Sequence, residues 1–321
     1  MQDGHPVAHA CPISSLLPLV VFVNSAAGGL RVRSRLPGVQ RVFEKASIPA
    51  EFICTESSQE LESAVLAAIK NGTRLLLAFG GDGTFQSLAN AAYGSDVVVG
   101  VLPAGGGNDF AAAVQIPVDP MRAATALLHG QPRCVDLLRA RTADGRERLY
   151  AGGGGLGIDA EAARHANGAF RHLPGRTRYV ASALRAFMGF RPIAVRAEFS
   201  PSSLPSIEGK FLLAAALNTP SYGAGIRLAP DAEVDDGWLD AVFVQDLKFL
   251  DVLRVLPRLT RTGELHPRYV KRMRAQKVRI TADRPCLFHG DGEILGPTPV
   301  EIEIVPRAIQ VLAPIRQERL E

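Results

Sequence analysis

Ala78-Phe79-Gly80-Gly81-Asp82-Gly83-Thr84-Phe85 is the stretch that decides the fold. It follows the apolar run Leu75-Leu76-Leu77 and precedes a helix-like run from Gln86 to Ala92, so it predicts a tight turn between a strand and a helix. Glycine tolerates positive φ and lets the backbone approach a ligand closely. Backbone N–H groups at such a turn, with a helix N-terminus behind them, are suited to binding phosphate.

A second glycine turn, Pro103-Ala104-Gly105-Gly106-Gly107-Asn108-Asp109-Phe110, follows the next apolar run, Val97 to Leu102. Neither turn matches G-x-x-x-x-G-K-[ST], which excludes a P-loop NTPase. A formal G-x-G-x-x-G occurs at Gly152, Gly154 and Gly157, but no acidic residue follows about 20 positions later. We interpret it as a close backbone contact between two domains rather than as a dinucleotide fingerprint.

The first third of the chain alternates apolar strands with amphipathic helices. Strands are predicted at Leu19–Val23, Ala50–Thr55, Arg74–Phe79 and Val97–Leu102, and helices at Leu36–Ala46, Ser57–Asn71 (capped by Ser58) and Pro120–Gly130. This alternation predicts a doubly wound parallel sheet. Ligands of such sheets bind at the carboxyl ends of the strands, where both glycine turns and the Asn24 loop fall.

From about Cys134 short strands dominate, which predicts a mostly antiparallel sandwich or barrel. Two helical insertions, Thr177–Met188 and Leu247–Thr262, interrupt it. We therefore expect one domain over residues 1–132 and a second over 133–308, with residues 309–321 packing back on the first. The predicted strands are Arg133–Arg141, Glu147–Ala151, Ile193–Phe199, Lys210–Leu217, Trp238–Val244, Lys277–Thr281 and Val300–Val305.

Composition narrows the class of protein. The chain has 321 residues, 47% of them hydrophobic and 21% charged, as in globular proteins, and its net charge of +4 suits anionic partners. The four cysteines form no CxxC pair, which disfavours structural zinc, and sparse aromatics without a reader motif disfavour nucleic-acid binding. No apolar run nears the ~20 residues of a membrane span, and the N-terminus lacks a signal-peptide pattern, so a cytoplasmic protein is expected.

Carboxylates recur at predicted turns. Asp82 and Asp109 lie inside the two glycine turns. The turn from Asp231 to Gly237 suits Mg²⁺, which prefers oxygen ligands, or is simply a solvated acidic turn. The segment Gly290-Asp291-Gly292-Glu293 is a further acidic turn, and its alternative interpretation is a β-hairpin with Asp-Gly at the corner.

With these residues in order, the chain resembles the diacylglycerol-kinase catalytic-domain family, which includes sphingosine and ceramide kinases and soluble bacterial lipid kinases. The resemblance runs from about Leu19 to Pro314. It rests on the Asn24 to Gly28 loop, Thr55, Gly80-Gly81-Asp82-Gly83-Thr84, Pro103-Ala104-Gly105, Asn108-Asp109-Phe110-Ala111, Gly157-Ile158-Asp159-Ala160, Asn218, Pro230-Asp231-Ala232, Asp235-Asp236-Gly237-Trp238-Leu239-Asp240, Asp291-Gly292-Glu293 and Thr298-Pro299.

The resemblance implies an α/β nucleotide-binding domain and a β-sandwich, with an active site in the cleft between them. It implies transfer of the γ-phosphoryl group of ATP to a lipid hydroxyl, with diacylglycerol as the expected substrate and Mg²⁺ as cofactor. The residues that would line the ATP site are Asn24, Ser25, Ala26, Ala27, Gly28, Thr55, Gly80, Gly81, Asp82, Gly83, Thr84, Phe85, Gln86, Gly105, Gly106, Asn108 and Asp109.

The resemblance also assigns the acidic residues. Mg²⁺ would be held by the Asp236 side chain and the carbonyls of Glu233 and Trp238, and an acidic network would join Asp82, Asp109, Asp136 and Asp236. Asp291 and Glu293 match the general-base motif. The sequence leaves open which of them takes the proton, and our hypothesis gives that role to Glu293, with Asp291 orienting it.

Departures from the family pattern affect details. Gly106 and Gly107 stand where Thr or Ser is frequent, Ser25 stands where Pro is common, and Gln86 acts without the acidic or amide partner that many members carry. None of these changes removes a carboxylate, so we expect an active kinase.

A lipid substrate requires contact with a membrane surface. The stretches Arg164–Arg191 and Arg254–Arg279 are rich in arginine, which predicts either peripheral docking on an anionic membrane or solvated helix faces. Whether the protein forms a homodimer stays open. Two rival functions are an NAD kinase-like small-molecule kinase, which would share the Gly-Gly-Asp-Gly-Thr turn, and a non-catalytic nucleotide- or lipid-binding regulator.

Overall fold

The structure is a computed structural model of the 321-residue chain. It describes residues 13–24, 29–159, 189–223, 225–248 and 268–315, together with 162, 181–182, 185–187, 251, 254, 257–258, 261–263 and 266.

Parallel strands and helices alternate in the first part of the chain. β3 and β4 are buried at every position, as expected of central strands made of continuous apolar runs. The parallel strands lie in the order β2-β1-β3-β4. After a short 3₁₀ helix, Ile13–Leu16, the elements are β1 (Leu19–Asn24), α1 (Gly29–Lys45), β2 (Ala50–Thr55), α2 (Ser58–Lys70), β3 (Leu75–Gly80), α3 (Asp82–Ala92), β4 (Val98–Pro103), α4 (Asp109–Ala113) and α5 (Pro120–Leu127).

Antiparallel pairing dominates the rest of the chain. In β8 buried and more exposed positions alternate, as in a strand with one face on the core. The strands are β5 (Gln131–Thr142), β6 (Glu147–Tyr150), β7 (Gly153–Gly157), β8 (Ile193–Ser200), β9 (Ile207–Leu217), β10 (Leu239–Gln245), β11 (Val270–Ala275), β12 (Lys277–Ala282), β13 (Leu287–Gly290), β14 (Glu293–Pro297) and β15 (Val300–Ala313).

The long strand β15 joins the parallel part of the sheet to the antiparallel part. Its first part pairs antiparallel with β12 and β5, and near its end Gln310 and Val311 pair in parallel with β4. The register with β5 shifts between Val305 and Ile309, where Arg307 adopts a φ of 50°. The expected combination of a parallel α/β part and an antiparallel β part is therefore confirmed, whereas the domain limits stay a prediction.

Several predicted elements need correction. Helix α1 begins at Gly29 rather than Leu36, and Pro37 lies inside it. Ser57, not Ser58, caps α2, since its side chain accepts the N–H of Glu60. The strands β7, β11, β13 and β14 were not predicted, and most of the two predicted helical insertions lies outside the described residues.

Strand β7 is the least expected of these elements because four of its five residues are glycines, which have low β-propensity. A Cβ on Gly153 would lie 2.6 Å from Leu217 Cδ2, and one on Gly154 would lie 2.6 Å from the carbonyl oxygen of His289. The glycines therefore permit close packing, as predicted. The contacts join β7 to β9 and β13, however, and do not run between the two halves of the chain.

No helix in the part of the chain that the structure describes has the length and apolarity to cross a membrane.

Candidate active site

The first glycine turn leaves the N-terminus of α3 without a side-chain cap. Gly81 is the N-cap residue, and no side chain accepts a hydrogen bond there. A Cβ on Gly80 would lie 2.3 Å from Thr84 Oγ1, so only glycine lets the turn close over Thr84. Asn24 Nδ2, at the carboxyl end of β1, donates to Thr84 Oγ1 at 3.0 Å. An uncapped N-terminus of an 11-residue helix is a favourable place for an anionic group.

The two glycine turns touch through their backbones. A Cβ on Gly105 would lie 2.6 Å from Gly81 Cα. Asn108 adopts a left-handed conformation, with φ of 58°, and its Oδ1 accepts the N–H of Gly105 at 3.0 Å. Close backbone packing therefore holds the turns at one edge of the parallel sheet.

Asp82 joins the second turn to the first. Its carboxylate accepts the N–H of Asn108 at 2.7 Å and the N–H of Phe110 at 3.3 Å. Burial, followed by repulsion from Asp109, raises the pKa of Asp82 to about 6, although these hydrogen bonds act to lower it. The N–H groups of Asn108 and Phe110 are consequently engaged by Asp82, whereas no side chain caps the N-terminus of α3.

Asp291 lies at the corner of a two-residue hairpin between β13 and β14. Asp291 and Gly292 have φ of 48° and 88°, and Gly290 pairs with Glu293. Positive φ at both corner residues is the geometry of a type I′ turn, for which Asp-Gly is a preferred sequence. The hairpin interpretation of this segment is thus confirmed, and the hairpin aims the Asp291 carboxylate back at β7.

Three consecutive backbone N–H groups hold the Asp291 carboxylate. Ala151 donates to Oδ2 at 2.7 Å, and Gly152 and Gly153 each donate to Oδ1 at 3.0 Å. Burial nevertheless raises the pKa of Asp291 to about 7, with the charge of Asp82 acting in the same direction and the N–H groups opposing it. A carboxyl group that titrates near neutral pH is suited to general-base catalysis.

Asp291 and Glu293 both lie beside the first glycine turn. A Cβ on Gly83 would be 3.6 Å from the Asp291 carbonyl oxygen and 3.9 Å from Glu293 Oε1. Ser58 Oγ, at the start of α2, donates to Glu293 Oε1 at 3.2 Å. Residues more than 200 positions apart in the chain therefore meet at the N-termini of α2 and α3.

The Asp109 carboxylate contacts the segment that follows β9. Its Oδ1 accepts the hydroxyl of Ser221 at 2.7 Å and the N–H of Gly225 at 2.9 Å. In the same segment Tyr222 Oη donates to Asp159 Oδ2 at 2.8 Å. The second glycine turn is thereby tied to the β-rich part of the chain.

The acidic turn before β10 forms a separate cluster. Asp235 pairs with Arg133 at 2.6 Å, and Asp236 forms an ion pair with Arg274. The buried Asp136 accepts the N–H of Gly237 and the N–H of Arg307, both at 2.7 Å. Asp136 thus braces this turn against β15, while the described contacts of Asp82 and Asp109 are made elsewhere.

The donor chemistry of this turn fits a hard cation. Burial raises the pKa of Asp236, with Glu233 adding repulsion, and burial raises the pKa of Asp240 to about 6. Desolvation is the larger cause of both shifts, and the Arg274 guanidinium, which pairs with Asp236, acts to lower both pKa values. Among the described residues no group of three or more His, Cys, Asp or Glu side chains is arranged for metal binding, so backbone carbonyls would have to complete a site.

Comparison with known proteins identifies the family. Residues 18–140 match the model of the diacylglycerol kinase catalytic domain, and residues 154–313 match that of the YegS C-terminal NAD kinase beta sandwich-like domain. A diacylglycerol kinase of Mycobacterium tuberculosis is 31% identical over 298 residues, which cover 92% of this chain and 95% of that protein. The chain belongs to the diacylglycerol kinase family. A probable lipid kinase YegS-like from Stenotrophomonas maltophilia is 27% identical, covering 83% and 87%.

The solved members of the diacylglycerol kinase family share the fold. A diacylglycerol kinase from Bacillus anthracis has a TM-score of 0.69 at 17% identity, and a second chain from that organism has a TM-score of 0.74 at 18% identity. Each comparison covers 92% of this chain and 96% of the other. At this identity the likeness shows the architecture alone, which includes the predicted second domain of β-sandwich type.

The structure brings together most residues that the family resemblance assigns to ATP. Thr55 is buried and pairs in register with Asn24 at the carboxyl ends of β2 and β1. Gly106 lies on the second glycine turn. Ser25, Ala26, Ala27 and Gly28 lie outside the described residues. The residues gathered at the turns are Asn24, Gly80, Gly81, Asp82, Gly83, Thr84, Gly105 and Asn108.

Two residues assigned to ATP direct their side chains elsewhere. Phe85 is buried and stacks on Phe110 with ring centroids 4.3 Å apart. Gln86 is buried, and its Nε2 donates to the carbonyl of Leu149 on β6. The turn positions them, but these side chains belong to the packing behind it.

The sequence did not indicate that Ser58, Ser221 and the N–H groups of residues 151–153 contact acidic residues of the site. A serine at a helix start reads as a cap, and backbone donors carry no residue-type signal. The run of glycines at 152–155 was the one sequence signal here, because it predicted a close backbone contact.

Proposed function

We propose that this protein transfers the γ-phosphoryl group of ATP to the hydroxyl of diacylglycerol. The observation that carries the proposal is the position of Asp291 on the hairpin beside the N-terminus of α3. Its backbone carbonyl oxygen would lie 3.6 Å from a Cβ on Gly83, and its carboxyl, which has a pKa of about 7, interacts with the charge of Asp82. A phosphate cradle and a general base at one place are the two parts that phosphoryl transfer to an alcohol requires.

In the proposed reaction the lipid hydroxyl oxygen attacks the γ-phosphorus, and the bond from that phosphorus to the β–γ bridging oxygen breaks. Asp291 takes the hydroxyl proton, and the products are ADP and the phosphorylated lipid. The N-terminus of α3 stabilises negative charge on the phosphoryl group. We assign the base to Asp291 rather than Glu293, because Ser58 holds Glu293 and the three N–H groups aim Asp291.

Mg²⁺ would be held by the Asp236 carboxylate and by the carbonyls of Glu233 and Trp238. When bound, it would supply positive charge that offsets the crowded carboxylates of the turn. Asp136 would support it indirectly, because it fixes the N–H of Gly237 in the middle of the proposed ligand set.

The choice of lipid rests on the relatives, which are named diacylglycerol kinases or lipid kinases. Peripheral binding to an anionic membrane surface, at a cytoplasmic location, is part of the proposal. Arg268 and Lys271 are candidate contacts, whereas Arg272 is engaged with the carbonyls of Leu228 and Gly263. The other arginine-rich stretch, Arg164–Arg191, falls largely outside the described residues.

A single assay tests the proposal. The protein is incubated with radiolabelled ATP and Mg²⁺ against mixed micelles of diacylglycerol, ceramide, sphingosine or phosphatidylglycerol, and separately against NAD. We expect label in phosphatidic acid, and we expect Asp291→Asn to abolish it while ATP binding persists. Label in NADP would favour the small-molecule kinase, and ATP binding by folded protein without transfer to any acceptor would favour the regulator.

A further inference from the structure

Two side-chain amides of α3 hold the backbone of β6. Asn90 Nδ2 donates to the carbonyl of Leu149 at 2.7 Å, and the N–H of Leu149 donates to Asn90 Oδ1 at 3.0 Å. Gln86 Nε2 donates to the same carbonyl at 3.2 Å. Asn90 thus satisfies both backbone groups of Leu149, as a neighbouring strand would do.

The residues that hold Asp291 begin two positions after Leu149. Ala151, Gly152 and Gly153 donate their N–H groups to its carboxylate. A Cβ on Gly152 would lie 2.9 Å from Asp291 Oδ1, so the carboxylate packs directly on this backbone. Any shift of the segment would move the donors relative to the carboxylate.

We propose that Asn90 is a positioning residue that fixes Leu149 and, through it, the three N–H groups that aim the Asp291 carboxylate. This inference rests on the proposed function, in which Asp291 is the base. Asn90 stands eight residues after Asp82 on α3, about 12 Å along the helix axis, so one rigid helix carries the phosphate cradle at its start and the brace for the base near its end.

The charge environment of Asp291 makes the inference testable by titration. The N–H groups of the segment act to lower the pKa of Asp291, while burial and Asp82 act to raise it. Tyr150 and Tyr222 also face this charge, and Glu293 lies on the same hairpin. Loosening the three donors, with the other groups in place, is expected to raise the pKa of Asp291 further.

The experiment compares Asn90→Ala and Gln86→Met with the wild type, and uses Asn71→Ala, an exposed asparagine at the end of α2, as the matched control. We expect Asn90→Ala to lower kcat about 100-fold while KM for ATP changes less than about twofold, since small displacements of a catalytic group have effects of this size. Gln86→Met removes the longer single hydrogen bond and is expected to lower kcat about threefold.

Two readouts separate positioning from loss of folding. The pH midpoint of kcat/KM should rise by about half a unit or more in Asn90→Ala and stay unchanged in Asn71→Ala. Amides of residues 149–153 should exchange with deuterium faster in Asn90→Ala. If Asn90→Ala does not fold, the same two shifts, smaller in size, are required of Gln86→Met.

A third readout needs no lipid. The Asp291 carboxyl carbon is titrated by ¹³C NMR, with Asp291→Asn identifying its signal. A titration shift in Asn90→Ala, in a protein that phosphorylates no lipid, would uphold the positioning role and refute the proposed function. An unmoved titration in an active enzyme, or a fall in kcat that only follows the unfolded fraction, would refute the positioning role.

Discussion

Replacing Asp291 by asparagine should remove activity and, at the same time, stabilise the protein at alkaline pH. The folded protein keeps the proton of Asp291 up to about pH 7, whereas the unfolded chain releases it near the usual value of 3.8. Because the folded state binds more protons between these values, wild-type stability falls as the pH rises from about 4 to about 7. The side chain of the Asp291→Asn variant cannot ionise, so the variant does not lose stability in this way as the pH rises.

The size of the effect follows from the shift. Moving a pKa from 3.8 to about 7 corresponds to about 4 kcal/mol at about 1.4 kcal/mol for each unit. Asp291 is only half-buried as a residue, and one of the donors at 151–153 loses its acceptor in the variant, at a cost of about 1 kcal/mol that does not depend on pH. That cost cancels in a comparison of two pH values. Only the part of the shift above about pH 5, about two units or about 3 kcal/mol, is titrated between about pH 5 and about pH 8. Because the residue is partly exposed, we expect the variant to gain about 2 kcal/mol relative to the wild type over this interval.

Urea unfolding of both proteins at the two pH values measures this difference. Asp144→Asn is the control, because Arg146 lowers the pKa of that exposed carboxyl to about 2, so its removal should bring no gain at the higher pH. A difference in unfolding free energy between Asp291→Asn and the wild type that is the same at both pH values would show that Asp291 is not held protonated by burial.

Three further changes test other parts of the site. Asp82→Asn should lower the pH midpoint of kcat/KM, because the charge of Asp82 raises the pKa of Asp291; an unchanged profile would mean that the two carboxyls do not interact. Gly105→Ala places a Cβ 2.6 Å from Gly81 Cα. This change should cost about 1–3 kcal/mol of stability and weaken ATP binding, measured by calorimetry, at least about tenfold. Unaltered binding would show that the second glycine turn takes no part in binding ATP. Asp136→Ala leaves the N–H groups of Gly237 and Arg307 without their acceptor and should cost about 3 kcal/mol in urea unfolding, whereas a loss below about 1 kcal/mol would deny Asp136 its bracing role.

The helices and strands of the first part were largely predictable because each depends on local pattern. β2 was predicted at its observed limits, and β3 and β4 to within a residue, since apolar runs bounded by glycine turns read clearly as buried strands. The Asp291 hairpin was also readable, because Asp-Gly is a local preference of a type I′ corner. Strand β7 could not be predicted, since its glycines are required by close packing against β9 and β13 and not by a local preference for strand.

The assignment of roles to acidic residues shows a different limit. Asp82, Asp109, Asp136 and Asp236 have the same side chain, and their family pattern suggested one network. In the fold Asp82 braces the second glycine turn, Asp109 reaches Ser221, and Asp136 braces the turn that contains Asp236. The difference arises from which backbone N–H groups lie within reach, and residue type does not encode that.

The sequence by itself determined the order of elements in the first part of the chain, the two glycine turns and the resemblance to lipid kinases, because propensity, apolar periodicity and motif order are properties of short segments. Only the tertiary structure decided that Asp291 rather than Glu293 is aimed by three N–H groups, and that Asn90 stands behind them. The pKa and the orientation of a carboxyl group depend on its desolvation and on hydrogen-bond donors that are distant in the chain. These groups come together only when the chain folds.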